Sequence, residues 1–214
     1  MNDNVGNSGN CENYGWQSEV QPESCGYIAP KIVAILTALA VHRVADLGSG
    51  NGSLCGLLSA KGFDVVGVER DEAGVLMSGN RYPGIKFYQM GMESDPKILL
   101  DAEKEFDAVV STEVIEHLYS PHLLPRFASA LLKKNGLLIV STPYHGYLKN
   151  LALSIANKWD HHHTPLWHGG HIKFWSRKTL SKLITEAGFE VVGFHGVGRL
   201  PLLWKSMVIV ARKV

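Results

Sequence analysis

The 214-residue chain is poor in cysteine, in net charge and in long apolar runs. Its three cysteines, Cys11, Cys25 and Cys55, form no CxxC pair and no even framework. That excludes a disulfide scaffold and reads as reduced thiols of a cytoplasmic protein. Twenty-one Lys and Arg against twenty Asp and Glu leave a formal charge of +1 with histidines neutral. A generally basic nucleic-acid coat and an acidic solvating chain are excluded, though a local basic patch is not. The opening residues, MNDNVGNSGN, lack the basic start and apolar run of a signal peptide. The longest apolar stretch, Ile32 to Val41, is broken by Thr37 and falls short of the ~20 residues that span a bilayer.

What remains is a chain of single-domain length, 45% apolar, with 22 glycines and 10 histidines, the histidines crowded late. Residues 1–15 are rich in Asn, Gly and Ser and are expected to be a disordered arm. From Pro30, suited to a first helical turn, Ile32, Ile35, Leu36 and Leu39 share one helix face. Apolar strands are then expected at Arg43–Leu47, Asp64–Val68, Ile85–Gln89, Phe106–Ser111, Leu137–Ser141, Glu190–Phe194 and Ser206–Ala211. Between them lie helices near 53–61, 71–80, 123–132 and 176–187, with Asn135-Gly136 as the stop of the third. This alternation predicts an α/β fold: a seven-stranded, mostly parallel sheet with helices on both faces. Residues 144–170 interrupt it after strand five, as a lid or acceptor-binding insertion.

VADLGSGNGSL places Asp46, Gly48, Gly50 and Gly52 between the first strand and a helix. Glycines suit a tight turn that a ligand's atoms approach closely. The spacing G-x-G-x-x-G is absent in either frame, which excludes an NAD-dependent dehydrogenase. Glu69 ends the second strand 21 residues past Gly48, where an acidic side chain can accept both ribose hydroxyls. The D-x-G-x-G-x-G form with this spaced acid resembles motif I of class I S-adenosylmethionine-dependent methyltransferases. The resemblance implies a Rossmann-like fold in one domain, 16–214, and S-adenosylmethionine bound at Asp46, Gly48, Gly50, Gly52 and Glu69. It further implies Met92 against the adenine and Thr112 beside the methionine part. Many relatives carry Asp at the position of Gly91, and this chain does not.

Glu113-Val114-Ile115-Glu116-His117 follows strand four, at the edge where open α/β sheets bind ligands. If the segment turns helically, Glu113, Glu116 and His117 lie at i, i+3 and i+4 on one face. Two carboxylates and an imidazole there can hold Mg²⁺ or another divalent metal. The segment resembles two methyltransferase branches: the O-methyltransferases of ubiquinone biosynthesis and the small-RNA 3′-terminal 2′-O-methyltransferases. Both join an E-x-x-E-H segment to a later histidine, here His171. The resemblance implies a metal set of Glu113, Glu116, His117 and His171, with His117 also a catalytic candidate. Both branches methylate acceptors with vicinal oxygens, which chelate one ion through two atoms. A small-molecule acceptor suits the near-neutral chain better than nucleic acid. RNA 3′-end methylation and a non-catalytic S-adenosylmethionine-binding module are the alternatives.

In the insertion, His161, His162, His163, Trp159, Trp167 and His168 are candidates for lining an acceptor pocket, supplying a base or capping a lid. His145, just past strand five, is the expected general base. The stretch LKNLALSIANKW reads as an amphipathic helix with Leu148, Leu151, Ala152 and Ile155 on one face. Packing of that face on its own domain is expected, with peripheral membrane contact as the other reading. The oligomeric state is left open.

Overall fold

The computed structural model describes residues 20–163, 166 and 170–214. The expected arm over 1–15, and Trp167 and His168, lie outside the described residues, as does the side chain of His161.

Seven strands form one sheet: β1 (Arg43–Leu47), β2 (Asp64–Glu69), β3 (Lys86–Gln89), β4 (Phe106–Thr112), β5 (Leu132–Pro143), β6 (Phe189–Val197) and β7 (Ser206–Lys213). Their order is β3-β2-β1-β4-β5-β7-β6. β1 to β5 run parallel, and β7 is antiparallel to both β5 and β6. This is the mostly parallel sheet that the alternation predicted and the Rossmann-like fold that the resemblance implied. Chain order reverses between β1 and β4, so their carboxyl ends open a crevice.

Among the described residues eight α-helices accompany the sheet: α1 (Glu23–Ala38), α2 (Ser53–Ala60), α3 (Glu72–Arg81), α4 (Pro96–Ala102), α5 (Leu123–Leu131), α6 (Tyr147–Ile155), α7 (Trp159–His163) and α8 (Arg177–Glu186). Two apolar layers sandwich the strands. Ile28, Ile32 and Leu36 of α1 and Leu54 and Leu58 of α2 pack on Val44, Val65, Val110 and Ile139. Leu124, Phe127 and Leu131 of α5 and Leu180 and Ile184 of α8 pack on Ala45, Val66, Val109 and Leu138. Adjacent strand residues such as Val44 and Ala45 thus face opposite layers, which is why the strands read as unbroken apolar runs. Each buried Val, Leu, Ile or Phe among them contributes about 1.5–3 kcal/mol by leaving water.

Three sequence expectations are corrected, and one helix was missed. Pro30 lies inside α1 rather than in its first turn, because the helix begins at Glu23. The buried stripe of Ile28, Ile32, Ile35 and Leu36 offsets the roughly 3 kcal/mol that an internal proline costs. α5 ends at Leu131, before Asn135-Gly136. Asn135, at φ +62°, instead belongs to a bulge in which Leu132 and Leu137 pair with Phe106 and Ala108. α4 was not anticipated from the sequence, although Asp95 caps it through the Lys97 N–H and Pro96 opens it. The amphipathic stretch breaks after Ile155, and its apolar face is not packed on the domain. Tyr147 and Ile155 are each 78% exposed and Leu148 and Leu151 are exposed, whereas Lys149 is buried. No helix of the described residues is long and apolar enough to cross a membrane.

Candidate active site

The turn after β1 uses left-handed backbone at Gly48 (φ +78°), Gly50 (φ +54°) and Gly52 (φ +75°), a region that L side chains rarely adopt. Space forbids a side chain as well: a Cβ on Gly48 would stand 2.4 Å from Val114 Cγ2. The Glu69 carboxylate ties the turn to β2. One oxygen accepts the Gly50 N–H at 2.7 Å, and the other accepts the Asp71 N–H at 2.9 Å. Asp71 in turn caps α3 through the Ala73 N–H. Burial raises the Glu69 pKa, against the lowering effect of these backbone donors.

A cleft of about 870 Å³ opens at the carboxyl ends of β1, β2 and β4. That volume is typical of a small-molecule site. Asp46, Gly48, Glu69, Met92 and Thr112 line it, while Gly50 and Gly52 form the turn behind. Asp46 is fully buried; its carboxylate accepts a bond from the Cys55 thiol, but Oδ1 has no partner. Burial pushes its pKa up to about 7. Pro22, Ser24 and Cys25, at the start of α1, close one side of the cleft. Sequence reasoning missed them, because nothing local in PESC signals a ligand wall.

The EVIEH segment is not helical from its first residue. Glu113 takes a left-handed φ of +55°, and only Ile115–His117 form a single 3-10 turn. The Glu113 carboxylate bonds instead to two serines outside the segment. It accepts the Ser141 hydroxyl at 2.8 Å and the Ser206 hydroxyl at 3.0 Å. Burial pushes its pKa up to about 7. Glu113 stands between the cleft and a second cavity of about 390 Å³, lining both.

Glu116, His117 and His171 do converge, with one ligand atom from each within 4.8 Å of the others. Backbone pairing brings this about: the N–H groups of Ile172 and Lys173 both reach the Glu116 carbonyl at 3.0 Å. The outer atoms of the set are fixed. Glu116 Oε2 accepts the Thr142 hydroxyl at 3.0 Å, and His117 Nδ1 meets the Gly170 carbonyl at 3.2 Å. Glu116 Oε1 and His171 Nδ1 are buried without hydrogen-bond partners, and His117 Nε2 stands 4.0 Å from that Oε1. Such orphaned acceptors, oriented from behind, fit a divalent cation. Among the described residues Glu113 is not part of this set.

His145 lies among the insertion histidines instead of lining either cavity. Its ring stacks on His163 at 5.6 Å and meets Phe174 edge-on at 5.2 Å. Burial, then the charge of Lys149, lowers its pKa to about 4. His162 lines the second cavity.

The sequence family described as a methyltransferase domain matches residues 19–193. The ubiquinone biosynthesis O-methyltransferase of Azorhizobium caulinodans is 31% identical over 173 residues, 76% of this chain and 65% of that protein. Its counterpart in Bradyrhizobium diazoefficiens is 28% identical over 194 residues, 83% of this chain and 73% of that one. The chain thus spans about two thirds of the length of these curated relatives. In fold it is similar to magnesium protoporphyrin IX methyltransferase from Synechocystis, with a TM-score of 0.64 and 17% identity over 87% of this chain and 82% of that one. The methyltransferase domain of bacterial CtHen1 gives a TM-score of 0.65 and 23% identity over 86% of this chain and 97% of that one. With the family matched over most of its length and a Rossmann-like sheet around the glycine turn, the chain belongs to the methyltransferase-domain family.

Proposed function

We propose that the protein transfers a methyl group from S-adenosylmethionine to an oxygen of a small acceptor bearing vicinal oxygens, with a divalent metal held by Glu116, His117 and His171. The observation that carries this reading is the oriented ligand set with its orphaned Oε1 and Nδ1, at the edge of the cofactor cleft. One carboxylate oxygen and two imidazole nitrogens suit a transition-metal ion such as Mn²⁺, Fe²⁺ or Zn²⁺ better than Mg²⁺. The names of the curated relatives favour O-methylation.

Each residue of the cleft has a task. The glycine turn brings backbone close to the cofactor, Glu69 accepts the ribose hydroxyls, and Met92 packs on the adenine. The orphaned Asp46 Oδ1 suits the ammonium of the methionine part, beside Thr112. When bound, S-adenosylmethionine supplies a methyl carbon on a sulfonium sulfur, which keeps the electron pair of the broken carbon–sulfur bond. A bound cation would lower the pKa of a ligating acceptor hydroxyl. Glu113, between the two cavities, takes the hydroxyl proton onto its carboxylate as the acceptor oxygen bonds to the methyl carbon. Its Ser141 and Ser206 donors hold the carboxylate in place for this. This gives Glu113 the proton-accepting role expected of His145.

A labelled-methyl screen over catechols, sugars and short RNA, with and without divalent metal, tests the reading. Label should pass to a vicinal-oxygen acceptor and fall to background after chelation. Full transfer after rigorous chelation overturns the metal assignment, and transfer only to nitrogen acceptors overturns the acceptor class.

A further inference from the structure

Behind Glu113 lies the second cavity, with Lys149, Arg199, Lys205 and Glu23 in its wall. Its charges do not cancel. Lys205 is paired with Glu23. Lys149 is only 4% exposed, an unusual burial for a lysine. Its Nζ donates to a neutral group, the Lys205 carbonyl, at 3.1 Å. No ion pair among the described residues includes Lys149 or Arg199.

We propose that this cavity is an oxyanion subsite, in which Lys149 and Arg199 bind a carboxylate or phosphate group carried by the methyl acceptor. The proposal rests on the methyl-transfer reading of the adjoining cleft. A buried ammonium is costly unless an anion meets it. Inside the protein the carboxylate near Lys149 is that of Glu113, which the Ser141 and Ser206 hydroxyls already hold. Burial first, and then repulsion by Arg199, lower the Lys149 pKa to about 8 against the smaller attraction of Glu113. Burial first, and the Lys149 charge second, lower the pKa values of His145, His162 and His163. The cavity is thus a region of uncompensated positive potential, open to a small molecule and contiguous at Glu113 with the cofactor cleft. An acceptor anchored there by its anionic end presents its hydroxyls toward Glu113. The pairing of a buried Lys with an exposed Arg at the mouth suits a group that enters partly hydrated and is desolvated on one side.

The test is calorimetric binding to the full chain saturated with S-adenosylhomocysteine, with three probes: 3,4-dihydroxybenzoate, 3,4-dihydroxyphenyl phosphate and neutral 3,4-dihydroxybenzamide. An anionic probe should bind at least about tenfold more tightly than the amide, as a charge-assisted bond implies. The tighter of the two anions identifies the oxyanion. Arg199→Gln, at an exposed position that leaves the core intact, should remove most of that preference, and Lys149→Met should do the same. Equal binding of all three probes, or an undiminished preference in Arg199→Gln, overturns the proposal. Binding needs no turnover, so the two readings fail separately. An anion preference in a chain that methylates none of the probes leaves the subsite and defeats the transfer reading. Equal methylation of amide and acid with equal binding defeats the subsite alone.

Discussion

Gly50 donates its backbone N–H to the Glu69 carboxylate at 2.7 Å, so the acid at the end of β2 braces the cofactor turn as well as facing the cleft. Removing it leaves the Gly50 and Asp71 N–H groups without their acceptor, at about 1–3 kcal/mol each. Glu69→Ala should therefore weaken S-adenosylhomocysteine binding by roughly a hundredfold and lower the melting temperature. Glu69→Gln, which keeps one acceptor oxygen, should fall between. Calorimetry showing wild-type affinity in Glu69→Ala contradicts both the ribose and the bracing roles.

The sheet was legible because most of its strands contain an apolar run of strand length bounded by turn residues, and the glycine turn because three alternate glycines have few other uses. The site was legible where ligands sit close in sequence, as Glu116 and His117 do. Glu113 was misplaced because its left-handed φ breaks the helical spacing that put it with them, and no neighbouring residue signals that twist. Lys149 was unreadable for a different reason. A charged residue across from an apolar helix stripe reads as solvent-facing, yet tertiary packing turns α6 the other way and sinks the lysine. His145 follows a strand end, but chain position does not determine which way a ring points after Pro143.

The metal set makes a prediction that needs no acceptor. Protein purified without chelator should carry about one transition-metal ion per chain, following the three-ligand geometry. His171→Ala should lose it while keeping S-adenosylhomocysteine affinity near wild type, since His171 lines the second cavity and not the cofactor cleft. Elemental analysis with parallel calorimetry reads both. Metal content unchanged in His171→Ala removes His171 from the set.

Glu113 and His145 are separated by turnover. As proton acceptor Glu113 must be ionised, so the wild-type rate should rise with pH through about 7, where burial places its pKa. Glu113→Gln should lower kcat by about 10²–10⁴-fold with little change in KM and flatten that limb. His145→Ala should keep most of the activity, because the ring packs on His163 and Phe174 and lines neither cavity. A collapse of kcat in His145→Ala with an intact profile in Glu113→Gln reverses the assignment.

Asp46 links cofactor binding to protons and to stability. In the unfolded chain its carboxyl ionises near the ordinary 3.8, whereas burial in the folded chain holds the proton to about 7. Between those values the folded state binds more protons than the unfolded one, so stability falls as pH rises, by up to about 4 kcal/mol in all. Asp46→Asn has no proton to lose, and its melting temperature relative to wild type should climb from pH 4 to pH 8. A difference independent of pH defeats the assignment of the buried carboxyl. A cationic amine reaching the orphaned Oδ1 favours the ionised form, which drives the proton out. Binding of S-adenosylhomocysteine at pH 6.5 should therefore release a proton. The signature is a calorimetric enthalpy that varies with the ionisation heat of the buffer in wild type and not in Asp46→Asn.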